Sequence, residues 1–300
     1  MISNTLGFND ALAALIERTE SAIDQHLPSA DTRPTRIHQA MRYSMQIGGK
    51  RLRPALLIAA AEGLGRNDAD PMPAAVAIEC LHTYSLIHDD LPTIDNSDLR
   101  RGKPTSHIQF DEPTALLAGD ALLNFSYELL SQSYGTPAEL GLALIRDLAI
   151  AGGSQKLIGG QMEDVLGEKQ CLILSPDDLD FIHRNKTAAM IQAALIIGCR
   201  LGGADDSELQ QAEKLGLALG MAFQVIDDIL DATQSTENLG KPAGLDAERE
   251  KTTYISMHGL NAARDAAERF SDKARRISND LFGEASFVLL LVEHMRKRLS

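Results

Sequence analysis

Leu215-Gly216-Leu217-Ala218-Leu219-Gly220-Met221-Ala222-Phe223-Gln224-Val225-Ile226-Asp227-Asp228-Ile229-Leu230-Asp231 is the stretch that decides the fold. Its apolar residues Leu215, Leu219, Ala222, Phe223 and Ile226 recur every three or four positions, the spacing that lines one face of a helix. The same period runs through Leu12, Leu15, Ile16 and Ile23 and through most of the chain. Breaks fall at helix punctuation: Asn67 to Pro73, Gly102 to Pro104, Tyr134 to Pro137, Gly167 to Pro176, Gly202 to Asp206, and Thr233 to Gly244. The pattern predicts roughly ten helices joined by short loops. No run alternates polar and apolar residues as a half-buried strand does, and there is no internal repeat. The expected fold is all-α, a large helical bundle forming one domain over residues 1–300.

Composition narrows the function. With 44% hydrophobic residues the chain can fill a sizeable core, and with 4% aromatics and no Trp that core is expected to be built of Leu, Ile, Ala and Met. Met162, Met190 and Met221 are read as core filler. A formal charge of -13 argues against electrostatic binding of nucleic acid, so an anionic ligand must be held locally, through metal or a small basic cluster. Cys80, Cys171 and Cys199 lie far apart beside apolar neighbours, which suits buried thiols in a reducing compartment. The N-terminus has no signal-like pattern, and no stretch reaches the ~18 apolar residues of a membrane span. A soluble cytoplasmic protein is expected.

Four Asp-Asp pairs occur. Two read as helix caps. Ser175-Pro176-Asp177-Asp178 has Ser at the N-cap and Pro at the first helical position, and Asp205 is followed three residues later by Glu208, as in a capping box. The other two pairs close strongly apolar helical runs, where acids oppose the helix dipole and need compensation. They are Leu86-Ile87-His88-Asp89-Asp90-Leu91-Pro92-Thr93-Ile94-Asp95 and the Asp227-Asp228-Ile229-Leu230-Asp231 of the opening stretch. Asp227 and Asp231 stand at i and i+4, so both carboxylates leave one helix face. Pro92 and two extra residues separate Asp90 from Asp95, so a bulge must return Asp95 to the same side. With 25 aspartates in 300 residues, one such motif arises by chance in roughly one chain in six. Two copies are far more specific. Carboxylates facing across a bundle suit Mg²⁺, which takes oxygen ligands and completes its shell with water and phosphate.

Basic residues supply the other half of the pattern. Gly48-Gly49-Lys50-Arg51-Leu52-Arg53-Pro54 sets three cations beside a glycine pair, an arrangement suited to wrapping a diphosphate. Asp98-Leu99-Arg100-Arg101-Gly102-Lys103-Pro104-Thr105 places a second basic cluster just after the first acidic motif. Diphosphate is the simplest ligand common to both.

These runs, with Gly159-Gly160-Gln161-x-x-Asp164, Gly240-Lys241-Pro242, Asp246 and Lys251-Thr252-Thr253-Tyr254, resemble the defining motifs of the trans-prenyl diphosphate synthases, specifically bacterial short-chain farnesyl and geranylgeranyl enzymes. The likeness covers residues 35 to 260. It implies antiparallel helices around a deep central cavity, usually in a homodimer, and condensation of isopentenyl diphosphate head-to-tail onto an allylic diphosphate. It implies Asp89, Asp95 and Asp227 as Mg²⁺ ligands, with Asp90 and Asp231 nearby or bridging through water, and three ions in each active site. Lys50, Arg53, His82 and Arg101 would hold isopentenyl diphosphate. Arg100, Lys186, Gln224 and Lys241 would hold the allylic diphosphate, with Lys251 also at the site. Thr187 and Gln224 would stabilise the allyl cation by their dipoles, while Mg²⁺, Lys186, Lys241 and Arg100 stabilise the departing diphosphate.

Each residue also has a plainer reading. His82 could be a satisfied core histidine, Gln224 a helix-to-helix hydrogen bond, and Lys251 an exposed lysine. Asn185 and Ala188 stand where the family commonly has His and Gly. Product length is expected to depend on Tyr84, which precedes Asp89 by five residues, about 7.5 Å along a helix. With Ser85 beside it, this looks like the farnesyl arrangement. If Tyr84 is only core packing, a C20 geranylgeranyl product follows. A terpene cyclase would lack the Lys50 and Arg53 site, and a non-catalytic subunit of a heteromeric synthase would typically have lost an acidic motif. The last 40 residues carry no assignable motif.

Overall fold

The structure, a computed structural model, describes residues 7–66, 69–169, 175–233 and 252–298. Its helices are α1 (Phe8–His26), α2 (Thr35–Gln46), α3 (Leu52–Leu64), α4 (Met72–Asp89), α5 (Ser106–Gln109), α6 (Glu112–Ser133) and α7 (Ala138–Gly152). After them come α8 (Leu157–Lys169), α9 (Pro176–Ile182), a π-helix (His183–Ala188), α10 (Ala189–Leu201), α11 (Asp206–Thr233), α12 (Tyr254–His258), α13 (Leu260–Phe282) and α14 (Phe287–Lys297). The all-α expectation holds. Among the described residues the only strands are β1 (Leu99–Arg100) and β2 (Lys103–Pro104), a two-stranded antiparallel ribbon.

Helices α4 and α10 are apolar around most of their circumference and lie in the middle of the bundle. Helix α4 packs on α6 and α3, and α10 packs on α11 and α3. Cys80 and Cys199 are buried in these two helices, as are Met190 in α10 and Met221 in α11; Cys171 lies outside the described residues. Met162 is the exception: it is 53% exposed on α8 and lines a cavity, so its reading as core filler is corrected. The face of α8 that would bury it borders open space instead of another helix.

Both capping assignments hold. Ser175 and Asp178 exchange bonds in a capping box at α9, and Asp205 and Glu208 do the same ahead of α11. The break expected between Gly167 and Pro176 falls inside those bounds, since α8 runs on to Lys169 and α9 begins at Pro176. The stretch after position 260 forms α13 and α14. Helix α13 lays Ala263, Ala266, Ala267, Ser271, Ala274 and Ser278 inward, and such small residues let it run close along α11. No described helix is long and apolar enough to cross a membrane.

Candidate active site

Helix α4 ends on Asp89, and Asp90 is its C-cap. Pro92 prevents the helix from continuing, and the chain folds back in a tight turn: Ile94 and Asn96 donate their N–H groups to the Leu91 carbonyl, and Asp95 donates to the Asp89 carbonyl at 2.8 Å. The expected bulge is this turn, and it brings Asp95 beside Asp89. Burial pushes the Asp89 pKa up to about 7. Lys186 counters that rise, Asp95 and Asp90 add to it, and Arg100 opposes it. Lys186 therefore faces the first acidic motif.

Lys186 and Thr187 lie in the π-helix, a rare geometry that tends to mark functional positions. The Lys186 ammonium forms an ion pair with Asp164 of α8. Gly160, one turn earlier on α8, lies so close to the π-helix that a Cβ there would sit 2.9 Å from the Lys186 Cα. The Thr187 hydroxyl donates to Gln224 Oε1 at 3.0 Å, and Gln224 Nε2 donates to Asp228 Oδ1 at 3.0 Å. Asp228 also accepts the Tyr254 N–H at 2.8 Å. Two consecutive residues of the π-helix thus connect the helix that ends in Asp89 with the helix that carries Asp227 and Asp231. Asp231 is buried and Asp227 half-buried on α11. Asn185 donates to the Phe181 carbonyl at 2.9 Å and Ala188 packs on Gly220, so the two departures from the resembled motif are accommodated locally.

Two cavities meet here. One, of about 420 Å³, has Asp89, Lys186, Thr187 and Gln161 at its polar end and Tyr84, Ser85, Ile94, Leu157, Ile158 and Met162 along its walls. Tyr84 is 5% exposed; its hydroxyl has no hydrogen-bond partner, its ring meets His88 edge-on at 5.6 Å, and burial raises its pKa to about 12. The other, of about 410 Å³, is lined by Lys50, Arg53, His82 and Arg101 among others. Arg53 and His82 border both, and Arg53 Nη1 donates to His82 Nε2 at 3.1 Å. His82 is thus neither a simple core histidine nor remote from the site.

The ribbon after the first acidic motif ties the halves together. Arg101 and Gly102 both have positive φ, 53° and 76°, as a two-residue type I′ hairpin requires. Arg100 on one side of this turn gives Asp90 a bidentate bond at 2.7 Å twice, while the Arg101 guanidinium lies against Gly49. A Cβ on Gly49 would stand 2.6 Å from the Arg101 Cζ. Arg100 is not in the lining of either cavity; its guanidinium is bound to Asp90 and lies within electrostatic reach of Asp89 and Asp95. Arg51 departs from expectation. Among the three cations of its run it points inward, is 3% exposed, and pairs with Glu20 and Glu79. Lys241 and Lys251 lie outside the described residues.

The donor set offered by the two acidic motifs is all carboxylate oxygen, which suits Mg²⁺; burial is the main cause of the raised Asp89 pKa, and a cation at Asp89 would offset both that burial and the smaller repulsion from Asp95 and Asp90. Among the described residues no group of three or more acids, histidines or cysteines closes on one point.

Sequence reasoning gave no role to Asp164, Gln161, Glu79 or Asp228. Gln161 and Asp164 stood in a quoted motif, and Glu79 is a lone acid inside an apolar run, a signal that could have been followed.

An all-α bundle with a carboxylate turn, two cationic loops and an apolar cavity behind them defines a class of enzyme that handles diphosphates bearing hydrocarbon tails. Comparison specifies it: residues 34–281 match the family described as polyprenyl synthetase, and the chain belongs to that family. It is 43% identical over 276 residues to the heterodimeric geranylgeranyl pyrophosphate synthase large subunit 1 of Arabidopsis thaliana, covering 91% of this chain and 74% of that protein. It is 41% identical to the farnesyl diphosphate synthase of Geobacillus stearothermophilus, covering 87% of each. A solved geranyltransferase from Helicobacter pylori, complexed with magnesium and isoprenyl diphosphate, superposes with a TM-score of 0.80 at 34% identity, covering 98% of each chain. The chain is a prenyltransferase of the trans-prenyl synthase kind.

Proposed function

We propose that the chain condenses isopentenyl diphosphate with dimethylallyl or geranyl diphosphate and stops at farnesyl diphosphate. The observation that carries the C15 reading is Tyr84, a buried aromatic in the wall of the apolar cavity, one and a half turns behind Asp89. A chain growing from a diphosphate at Asp89 meets that ring after a short run of hydrocarbon.

The allylic diphosphate binds between Asp89, Asp95, Asp227 and Asp231, and Mg²⁺ held there by those carboxylates, three ions by our reading, would supply the Lewis acid for ionisation. Lys186, held toward Asp89 by the π-helix, donates to the departing diphosphate as its carbon–oxygen bond breaks. The Thr187 hydroxyl and the Gln224 side chain present dipoles but no strong nucleophile to the allyl cation. Lys50, Arg53, His82 and Arg101 hold isopentenyl diphosphate in the adjoining cavity so that its double bond faces the cation. A new carbon–carbon bond forms, and the released diphosphate takes the proton that restores the alkene. The apolar walls exclude water, which would otherwise capture the cation. Asp90 supports the site through Arg100. Lys241 and Lys251 are assigned to the allylic end on sequence alone. The working form in this reading is a cytoplasmic homodimer.

A second reading, a C20 geranylgeranyl product, is favoured by the names of several relatives, including the Arabidopsis thaliana geranylgeranyl pyrophosphate synthase 7, which is 42% identical. Incubating the purified chain with Mg²⁺, isopentenyl diphosphate and geranyl diphosphate separates the readings. Farnesyl diphosphate as the end product supports the first, geranylgeranyl diphosphate the second, and a cyclic hydrocarbon or no product overturns both.

A further inference from the structure

The three cations of the Lys50-Arg51-Leu52-Arg53 run do not share one job. Arg51 adopts a left-handed backbone, φ 43° and ψ 36°, at the N-cap of α3, a conformation that costs a non-glycine residue energy and persists only where its surroundings enforce it. What enforces it is visible. Arg51 Nη1 donates to Glu79 Oε1 at 2.7 Å, Nε donates to Glu20 Oε1 at 2.7 Å, and Nη2 donates to the Met45 carbonyl. Burial lowers the Arg51 pKa, but Glu79 and Glu20 outweigh it and the net shift is upward. One guanidinium therefore ties α1, the end of α2 and the middle of α4 to the loop between Gly49 and α3.

Arg51 borders the cavity that also contains His82 and Arg101, but its guanidinium nitrogens are committed to Glu20, Glu79 and the Met45 carbonyl, while its neighbour Lys50 and, two residues on, Arg53 line the same cavity. Glu79 borders the same cavity, and it opposes the loss of charge that burial imposes on both Arg53 and Arg101. We propose that the Glu20–Arg51–Glu79 clamp is the positioning device of the isopentenyl diphosphate site: it fixes the loop in the one conformation that aims Lys50 and Arg53 at the diphosphate. This rests on the reading of that cavity as the isopentenyl diphosphate site.

The test is a double variant, Arg51→Met with Glu79→Met. It removes one buried charge of each sign, so the net charge around the cavity is kept; Glu20, the other partner of Arg51, is 37% exposed and can turn to solvent, and Arg53 and Arg101 lose the Glu79 charge, which is why Arg51→Lys with Glu79 intact is tested beside it. The expected result is a KM for isopentenyl diphosphate raised about tenfold or more, the loss of roughly one charge-assisted bond to the diphosphate. The KM for geranyl diphosphate and the melting temperature should stay close to wild type. A clamp that served folding alone would lower the melting temperature and leave the isopentenyl KM unchanged, and that result overturns the proposal. Arg51→Lys, which keeps the charge but cannot reach all three acceptors, should raise the same KM in part, and it decides the matter if the double variant does not fold; an unchanged KM there also overturns the proposal. Lys50→Ala distinguishes the two layers. If it leaves the isopentenyl KM unchanged, the reading of the cavity falls and the clamp's role with it. If it raises that KM while the clamp variants do not, the clamp alone falls.

Discussion

Lys186 and Thr187 are adjacent in the chain and serve different partners, the ammonium facing Asp89 and Asp164 and the hydroxyl facing Gln224. Tyr84 is the residue whose removal should be most visible in the product. Replacing it with Ala opens the wall of the cavity, and we expect product analysis of Tyr84→Ala to show chains longer than wild type; an unchanged chain length refutes Tyr84 as the stop. His82 gives a pH prediction. Burial, then Arg53, Arg101, Arg100 and Arg51, hold its pKa well below the ordinary 6.5, so the folded protein keeps it neutral while the unfolded chain takes up a proton near that value. The unfolded state thus binds more protons as pH falls, and stability is lost below about pH 6.5. The melting temperature of wild type should drop between about pH 7.5 and pH 5.5 more steeply than that of His82→Gln, and equal slopes would refute the assignment. At this scale the placement was readable where a motif fixed both residue and spacing: Asp89, Lys50, Arg53, His82, Arg101, Lys186 and Thr187 border the two cavities, and Asp95 sits in the turn beside Asp89. The ion pairs of Arg51 with Glu79 and of Arg100 with Asp90 were not readable, because the direction of a long side chain depends on carboxylates that only folding brings near.

The π-helix is the element on which the site turns. The extra residue in its turn lets Lys186 and Thr187 face different helices, and no hydrophobic period reveals such a local change of winding. Its placement depends on α8 approaching without side chains at Gly160. Gly160→Ala should push the π-helix away, lowering stability by about 1–3 kcal/mol and kcat by roughly tenfold or more. Thermal melting and steady-state kinetics check both, and wild-type kcat in a folded variant would contradict the role. Helix α13 makes the complementary case. Its small inward residues fit α11, so Ala267→Leu, at a position with 0% exposure, should cost about 1–3 kcal/mol by overpacking, seen as a lower melting temperature with kcat per folded molecule little changed. The all-α class followed from period alone, and the caps at Ser175 and Asp205 followed from local chemistry. Helix α8 runs two residues past Gly167, because one glycine near a helix end costs only roughly 1 kcal/mol.

Across the molecule, the bundle sets two cavities side by side with Arg53 and His82 between them, one walled by hydrocarbon and one by cations. That division suits a reaction that joins two diphosphates, one of which must lose its diphosphate while the other keeps it. In the proposed chemistry the acids of α4 and α11 act on one diphosphate through shared cations. The most direct measurement is a crystal structure of the chain with Mg²⁺ and a non-ionisable allylic diphosphate analogue. We expect Mg²⁺ about 2.1 Å from carboxylate oxygens of both acidic motifs, joined by the diphosphate between them. A diphosphate held by one motif alone, with Asp227 and Asp231 facing a separate region of solvent, would contradict the account.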